Sequence, residues 1–167
     1  MADGSRRRPL IAAGMLLGIG MGGFVDGILF HQLLQLHNML SARYPKAGVD
    51  AATALVNLEI NMFWDGLFHA LTWSTTALGL AMLWRVARGR EVPLSDRVLL
   101  GSLAAGWGSF NLVEGLIDHQ LLGIHHVVES GNHPLWDGAF LASGVALILA
   151  GWATIRADRA ADPARAA

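Results

Sequence analysis

Apolar residues run almost unbroken through four segments, about 9–40, 53–84, 98–128 and 135–155, and polar residues break into them only at particular places. Each run has the length and character of a membrane-crossing helix, which needs roughly 20 apolar residues. The interruptions read as punctuation. Residues 41–52 carry Arg43, Pro45, Lys46, Gly48 and Asp50 and predict a loop. The connector 85–97 holds Pro93 and two capping candidates, Ser95 and Asp96. Residues 129–134 predict a tight turn, and the Ala-, Asp- and Arg-rich tail 157–167 predicts disorder. The pattern therefore predicts an all-α, four-transmembrane-helix bundle forming one domain over 1–167.

Within the apolar runs the polar residues repeat. Asp26-Gly27 and His31-Gln32-Leu33-Leu34, with a second histidine at His37, return 88 positions later as Glu114-Gly115 and His119-Gln120-Leu121-Leu122, with His125. A second echo pairs Trp64-Asp65-Gly66-Leu67-Phe68 with Trp136-Asp137-Gly138-Ala139-Phe140. The bundle is thus read as a duplicated two-helix hairpin, 9–84 and 98–155. Two spans separate the copies, so they predict a pseudo-two-fold axis along the membrane normal. That symmetry would pair Asp26 with Glu114, Asp65 with Asp137, and His31 with His119.

Composition agrees with a membrane. Of 167 residues, 53% are hydrophobic and 15% charged, and mean hydropathy is +0.43. The net charge of -1 argues against nucleic acid as a partner. With no cysteine, disulfides, iron–sulfur clusters and thiolate sites are excluded. Arg6–Arg8 before an apolar run resemble a signal peptide, but no clean small-x-small cleavage site follows, so the segment is read as a retained first span. Arg6–Arg8, the four connector arginines, Arg156, Arg159 and Arg165 share one side, against Arg43 and Lys46 on the other. The positive-inside rule then puts both termini in the cytoplasm, with the protein in the bacterial inner membrane.

Depth supplies the chemistry. Asp26 lies 18 residues from Arg8 and Glu114 lies 17 from Arg97, while Asp65 precedes Arg85 by 20 and Asp137 precedes Arg156 by 19. At 1.5 Å per residue, four helices place one acid each at roughly 25–30 Å from the cytoplasmic edge. A charge facing lipid costs at least ~3 kcal/mol, so these groups must face inward. Carboxylates from each helix with nearby histidines are the plan of carboxylate-bridged di-metal bundles. Asp26, His31, Asp65, His69, Glu114, Asp118 and His119 are the candidate ligands. His37, His125, Asn61, Asn111 and Asp137 are candidate outer-sphere or entry groups. Histidine with carboxylate suits Fe, Cu, Zn or Mn.

Blander readings exist for each feature. The four acids would serve as structural hydrogen-bond hubs, Asp137 would complement a helix N-terminus, and His133 would be a wet interfacial histidine. Gly14, Gly18 and Gly22, with Gly101, Gly106 and Gly108, are explained fully by close helix packing. Thr72, Ser74, Thr75 and Thr76 either extend a polar path towards the cytoplasm or simply join helices.

The phrases Phe24-Val25-Asp26-Gly27, His31 to His37, Asp65 to His69, and Asn111 to His119 resemble a family of predicted bacterial integral membrane proteins grouped as a domain of unknown function. The resemblance spans about 9–156 and implies a multi-pass membrane protein. The leading functional expectation is a transition-metal site in the periplasmic half of the bundle, with a metal-dependent oxidoreductase as the enzyme it would make. The alternatives are a proton or cation transporter using a carboxylate–histidine relay, a haem b protein, and an assembly partner of a respiratory complex. The lipid bilayer is the expected surround, and four short spans leave room for a homodimer.

Overall fold

The computed structural model describes residues 2–89, 92, 94–129 and 131–161. Arg90, Pro93 and Ser130 of the expected connector and turn, with 162–167 of the tail, lie outside them. So does Arg165, as do the side chains of Arg6 and Arg159.

The described residues are helical with no strand, in four rods. α1 covers Ala2–Phe24 and continues as a π-helical stretch, Val25–Leu33. α2 covers Ala51–Gly89. α3 covers Asp96–Glu114 and continues as a second π-helical stretch, Gly115–Leu122. α4 covers His133–Ala161, so the first part of the tail expected to be disordered is helical. α2 is nucleated by Asp50, whose carboxylate accepts from Ala52 N, Thr53 N and the Thr53 hydroxyl. Ser95 caps α3 by accepting from Val98 N. The α2 rod has 39 residues, about 58 Å, near twice the thickness of a hydrocarbon core.

The first and third rods stop earlier than the apolar runs predict, at Leu33 instead of 40 and Leu122 instead of 128. The cause is the backbone just beyond each. Gln35 and Gly123 take left-handed φ values of 50° and 54°, which no helix can continue. Leu36 N then bonds back to Phe30 O, and Ile124 N to Asp118 O. The chain after each stop folds over the rod ends as a non-helical cap.

α1 packs against α2 and α3, and α3 packs against α1 and α4. Among the described residues α2 and α4 do not pack on each other, so the rods form a row, α2–α1–α3–α4, with α1 and α3 central. Among the described residues the four helices thus make an open row, with α2 and α4 on its flanks. Glycine permits the central crossing. A Cβ on Gly18 would strike the Leu103 carbonyl and Trp107 N of α3, and one on Gly106 would strike Met15 O of α1. At one end of the row Arg7 of α1 pairs with Asp158 of α4, which also accepts from the Ser95 hydroxyl at 2.7 Å.

The burial pattern is inverted relative to a water-soluble protein. Among the described residues six hydrophobic ones are buried, including Leu10, Val86, Val98 and Ile155, against sixteen polar or charged ones. Leu55, Met62, Phe63, Leu71, Trp73, Leu78 and Leu80 lie bare along α2. A contiguous apolar face of that extent needs an apolar surround. Arg88 and Arg156 stand over the rings of Trp84 and Trp152, at 6.0 Å and 3.8 Å from ring centre, as interfacial pairs do.

Candidate metal centre

The two π-helical stretches create the site. In an α-helix, residues five apart point about 140° away from each other at 100° per residue. A π-helix closes its bonds from i to i+5, so residues five apart come onto one face. Asp26 and His31 are five apart, as are Glu114 and His119. Winding the chain as a π-helix at both places turns each acid and its histidine toward the same interior. His31 Nε2 lies 3.0 Å from Asp26 Oδ2.

The caps supply the next two histidines. After Gln35 the chain brings His37 inward, and after Gly123 it brings His125 inward. Their rings stack 4.7 Å apart and nearly parallel, at 5°. His31 lies 4.5 Å from His37 and His119 lies 4.8 Å from His125, ring centre to ring centre. All four rings are buried. Phe68 stacks on His31 at 5.6 Å, and Phe140 leans on His119 at 5.5 Å.

Three of the histidines are held from behind by a hydrogen bond at Nδ1, and His119 Nδ1 approaches a carboxylate without making one. His37 Nδ1 lies 2.9 Å from Val127 O, and His125 Nδ1 lies 3.0 Å from Met39 O. A carbonyl only accepts, so each Nδ1 carries the proton and each Nε2 presents a bare lone pair. His31 Nδ1 donates to Asp65 Oδ1 at 2.9 Å, and His119 Nδ1 lies 3.3 Å from Asp137 Oδ1. Asp65 also accepts from Met39 N at 2.8 Å and the Asn38 amide at 2.7 Å. Asp137 accepts from Val127 N at 3.0 Å and from His126 Nδ1 at 2.7 Å. These contacts correspond residue by residue, at offset 88 on the first and third rods and offset 72 on the second and fourth.

None of the four Nε2 atoms has a hydrogen-bond partner, and neither do Asp26 Oδ2 or the two Glu114 oxygens. Buried polar atoms are almost always paired, because leaving one bare costs about 1–3 kcal/mol. Here these atoms converge on one place, with His31 Nε2 and Asp26 Oδ2 facing each other at 3.0 Å. Glu114 reaches within 3.6 Å of His125 Nε2, and Asp26 Oδ1 lies 3.8 Å from His37 Nε2. Donor atoms of His31, His37 and His125 lie within 4.8 Å of one another, as do those of Glu114, His119 and His125, and of Asp26, His31 and Glu114. The trios share members, so they are one cluster of four imidazoles and two carboxylates. A ligand orienting through Nδ1 while offering Nε2 is the common arrangement of metal-bound histidine.

The expected site residues separate into groups. Asp26, His31, Glu114 and His119 come together at the centre. His37 and His125, expected at the entry, stand in its middle. Asp65 and Asp137 face the backs of His31 and His119. His69 is elsewhere: its Nδ1 lies 2.6 Å from the carbonyl of Asp65 on its own helix. Asp118 lines an apolar cavity of about 340 Å³ with Ile19, Phe68, Leu71, Phe110 and Glu114. Asn61 binds the first cap, accepting from Leu40 N and donating to Tyr44 O, and Asn111 donates to Ser143. The polar path along α2 ends early, since Thr72, Ser74, Thr75 and Thr76 each donate to a carbonyl of their own helix. His126 and His133, the latter expected to be a wet interfacial histidine, stack at 4.3 Å beside Asp137. His133, four residues before Asp137 of the repeated Trp-Asp-Gly, and His126, directly after His125, were the available signal.

No curated protein and no solved structure matches the chain. A family model described as "Predicted membrane protein (DUF2243)" matches residues 13–158, and with most of its length covered the protein belongs to that family of membrane proteins.

Proposed function

We propose that this is a four-span inner-membrane metalloprotein. Its buried centre takes one or two transition-metal ions between His31, His37, His119 and His125, with Asp26 and Glu114 as the carboxylate donors. The observation that carries the reading is the convergence of four buried Nε2 atoms on the Asp26 and Glu114 carboxylates, with His31, His37 and His125 each oriented from behind by a hydrogen bond at Nδ1. An all-nitrogen-and-oxygen donor set suits Fe, Mn, Cu(II) or Zn. Two hairpins related by a two-fold axis between α1 and α3 account for the residue-by-residue correspondence of the contacts. The apolar cavity beside Glu114 offers a small nonpolar molecule a lipid-side approach, which favours redox or oxygen-activating chemistry over hydrolysis. Both termini lie in the cytoplasm and the centre lies towards the periplasm.

Haem is the less suitable guest. His37 and His125 occupy the space between His31 and His119, with ring centres 4.5–6.3 Å apart, leaving no slot for a macrocycle. The test is elemental analysis of detergent-purified protein beside an Asp26→Asn/Glu114→Gln variant, which keeps side-chain shape. One or two equivalents of a transition metal, weakened or lost in the folded variant, support the reading. Metal-free protein that still fails to bind Fe, Mn, Cu or Zn on titration would sink it.

A further inference from the structure

Asp137 faces two ways. Its Oδ1 lies 3.3 Å from His119 Nδ1 at the buried centre, and its Oδ2 accepts from His126 Nδ1 at 2.7 Å on the outer side. His126 in turn stacks on His133, with ring centres 4.3 Å apart and tilted by 30°. One donor atom from each of His126, His133 and Asp137 lies within 4.8 Å of the others, and both histidines are only half-buried. The corresponding places in the first half of the chain hold Asn38, Asn61 and Asp65. Asn38 donates to Asp65 Oδ2 at 2.7 Å, the same length that His126 makes to Asp137. Asn61 spends its amide on the first cap, whereas the His133 ring makes no hydrogen bond among the described residues. An amide is thus sufficient for the structural contact. Two imidazoles around one carboxylate add lone pairs that the fold does not use.

We propose that His126, His133 and Asp137 form a second, outer transition-metal site, which passes its ion inward past Asp137 to the buried centre. Three protein donors leave coordination positions open to water, which suits a site that must release what it captures. Histidine and carboxylate select a divalent d-block ion over Ca²⁺ or Mg²⁺. The site stands on these three side chains, and its loading role rests on the buried centre proposed above.

The test titrates metal-stripped, detergent-purified full-length protein with Co²⁺ and follows the visible absorption of the bound ion. The variant is His126→Asn/His133→Asn, which installs the pair already accepted in the first half. The expected result is loss of one weaker equivalent and at least tenfold slower filling of the tight site, with final tight occupancy unchanged. Unchanged stoichiometry and filling rate in a folded variant would overturn the proposal. In an Asp26→Asn/Glu114→Gln background the outer equivalent should persist, then vanish when the two asparagines are added. A wild type that binds only this outer equivalent would uphold the outer site while removing the buried one and the transfer between them.

Discussion

Replacing Asp65 by Asn separates an orienting role from a ligating one. Asp65 is buried and accepts from His31 Nδ1, Met39 N and the Asn38 amide at 2.7–2.9 Å. Truncation to Ala would leave two buried donors and the partly buried Met39 N without an acceptor, on the order of 3–9 kcal/mol. That is a large part of the 5–15 kcal/mol that holds a domain together, so Ala tests folding and little else. Asn keeps the shape and one acceptor oxygen but loses the charge behind His31. Removing such a partner lowers metal affinity by about 10–100-fold, or about 1.4–2.8 kcal/mol. Competition against a chromophoric chelator, on protein with wild-type helicity in detergent, reads this directly. Affinity within threefold of wild type would refute the orienting role. A fall beyond about 10⁴-fold, far outside the range for an outer partner, would show that Asp65 itself binds the ion.

Four further outcomes follow from the structure. Gly18→Val places a side chain against the α3 backbone at Leu103 and Trp107 and should cost about 1–3 kcal/mol. Gly66→Ala, with nothing within 4 Å of the new Cβ, should gain up to about 1 kcal/mol, and thermal unfolding in detergent compares the two. Gly123→Ala forces a side chain into φ of 54°, costing about 1–2 kcal/mol. The Asp50 carboxyl is held below its ordinary value chiefly by the Thr53 hydroxyl. Its folded pKa being the lower one, its capping contribution is complete above the ordinary carboxylate range and disappears as pH falls through the folded value. Hydrogen exchange at Thr53 and Ala54 should therefore rise at acid pH beyond the intrinsic rate change, and Asp50→Ala should abolish that dependence.

The sequence carried the polar layer well, because a charge in an apolar run has no cheap alternative to facing inward. In the structure all four acids are buried, Asp26 and Glu114 at one interior and Asp65 and Asp137 facing the backs of His31 and His119. The small-residue spacing of α1 and α3 likewise anticipated their close crossing, since only glycine admits a neighbouring backbone. What pattern reading lacked was winding. At 100° per residue Asp26 and His31 belong to different stripes, and only π-helical turns bring them together. The caps were equally illegible: Gln35 carries no turn signal, yet its left-handed backbone sends His37 into the centre. His69, spaced four from Asp65, satisfied the helical rule for chelation but bonds a carbonyl of its own helix. Local spacing could not reveal that its partner's carboxylate is occupied by His31, Asn38 and Met39 from the first rod and its cap.

X-ray absorption at the metal edge of the loaded protein tests the central claim most directly. Imidazole carries a characteristic outer-shell scattering, and nitrogen ligands lie at about 2.0–2.1 Å for an ion such as zinc. The account predicts three or four imidazoles in the averaged coordination shell with carboxylate oxygen completing it, and fewer imidazoles in a His37→Gln/His125→Gln variant. A bound ion surrounded by oxygen alone, or a shell unchanged by that variant, would contradict it.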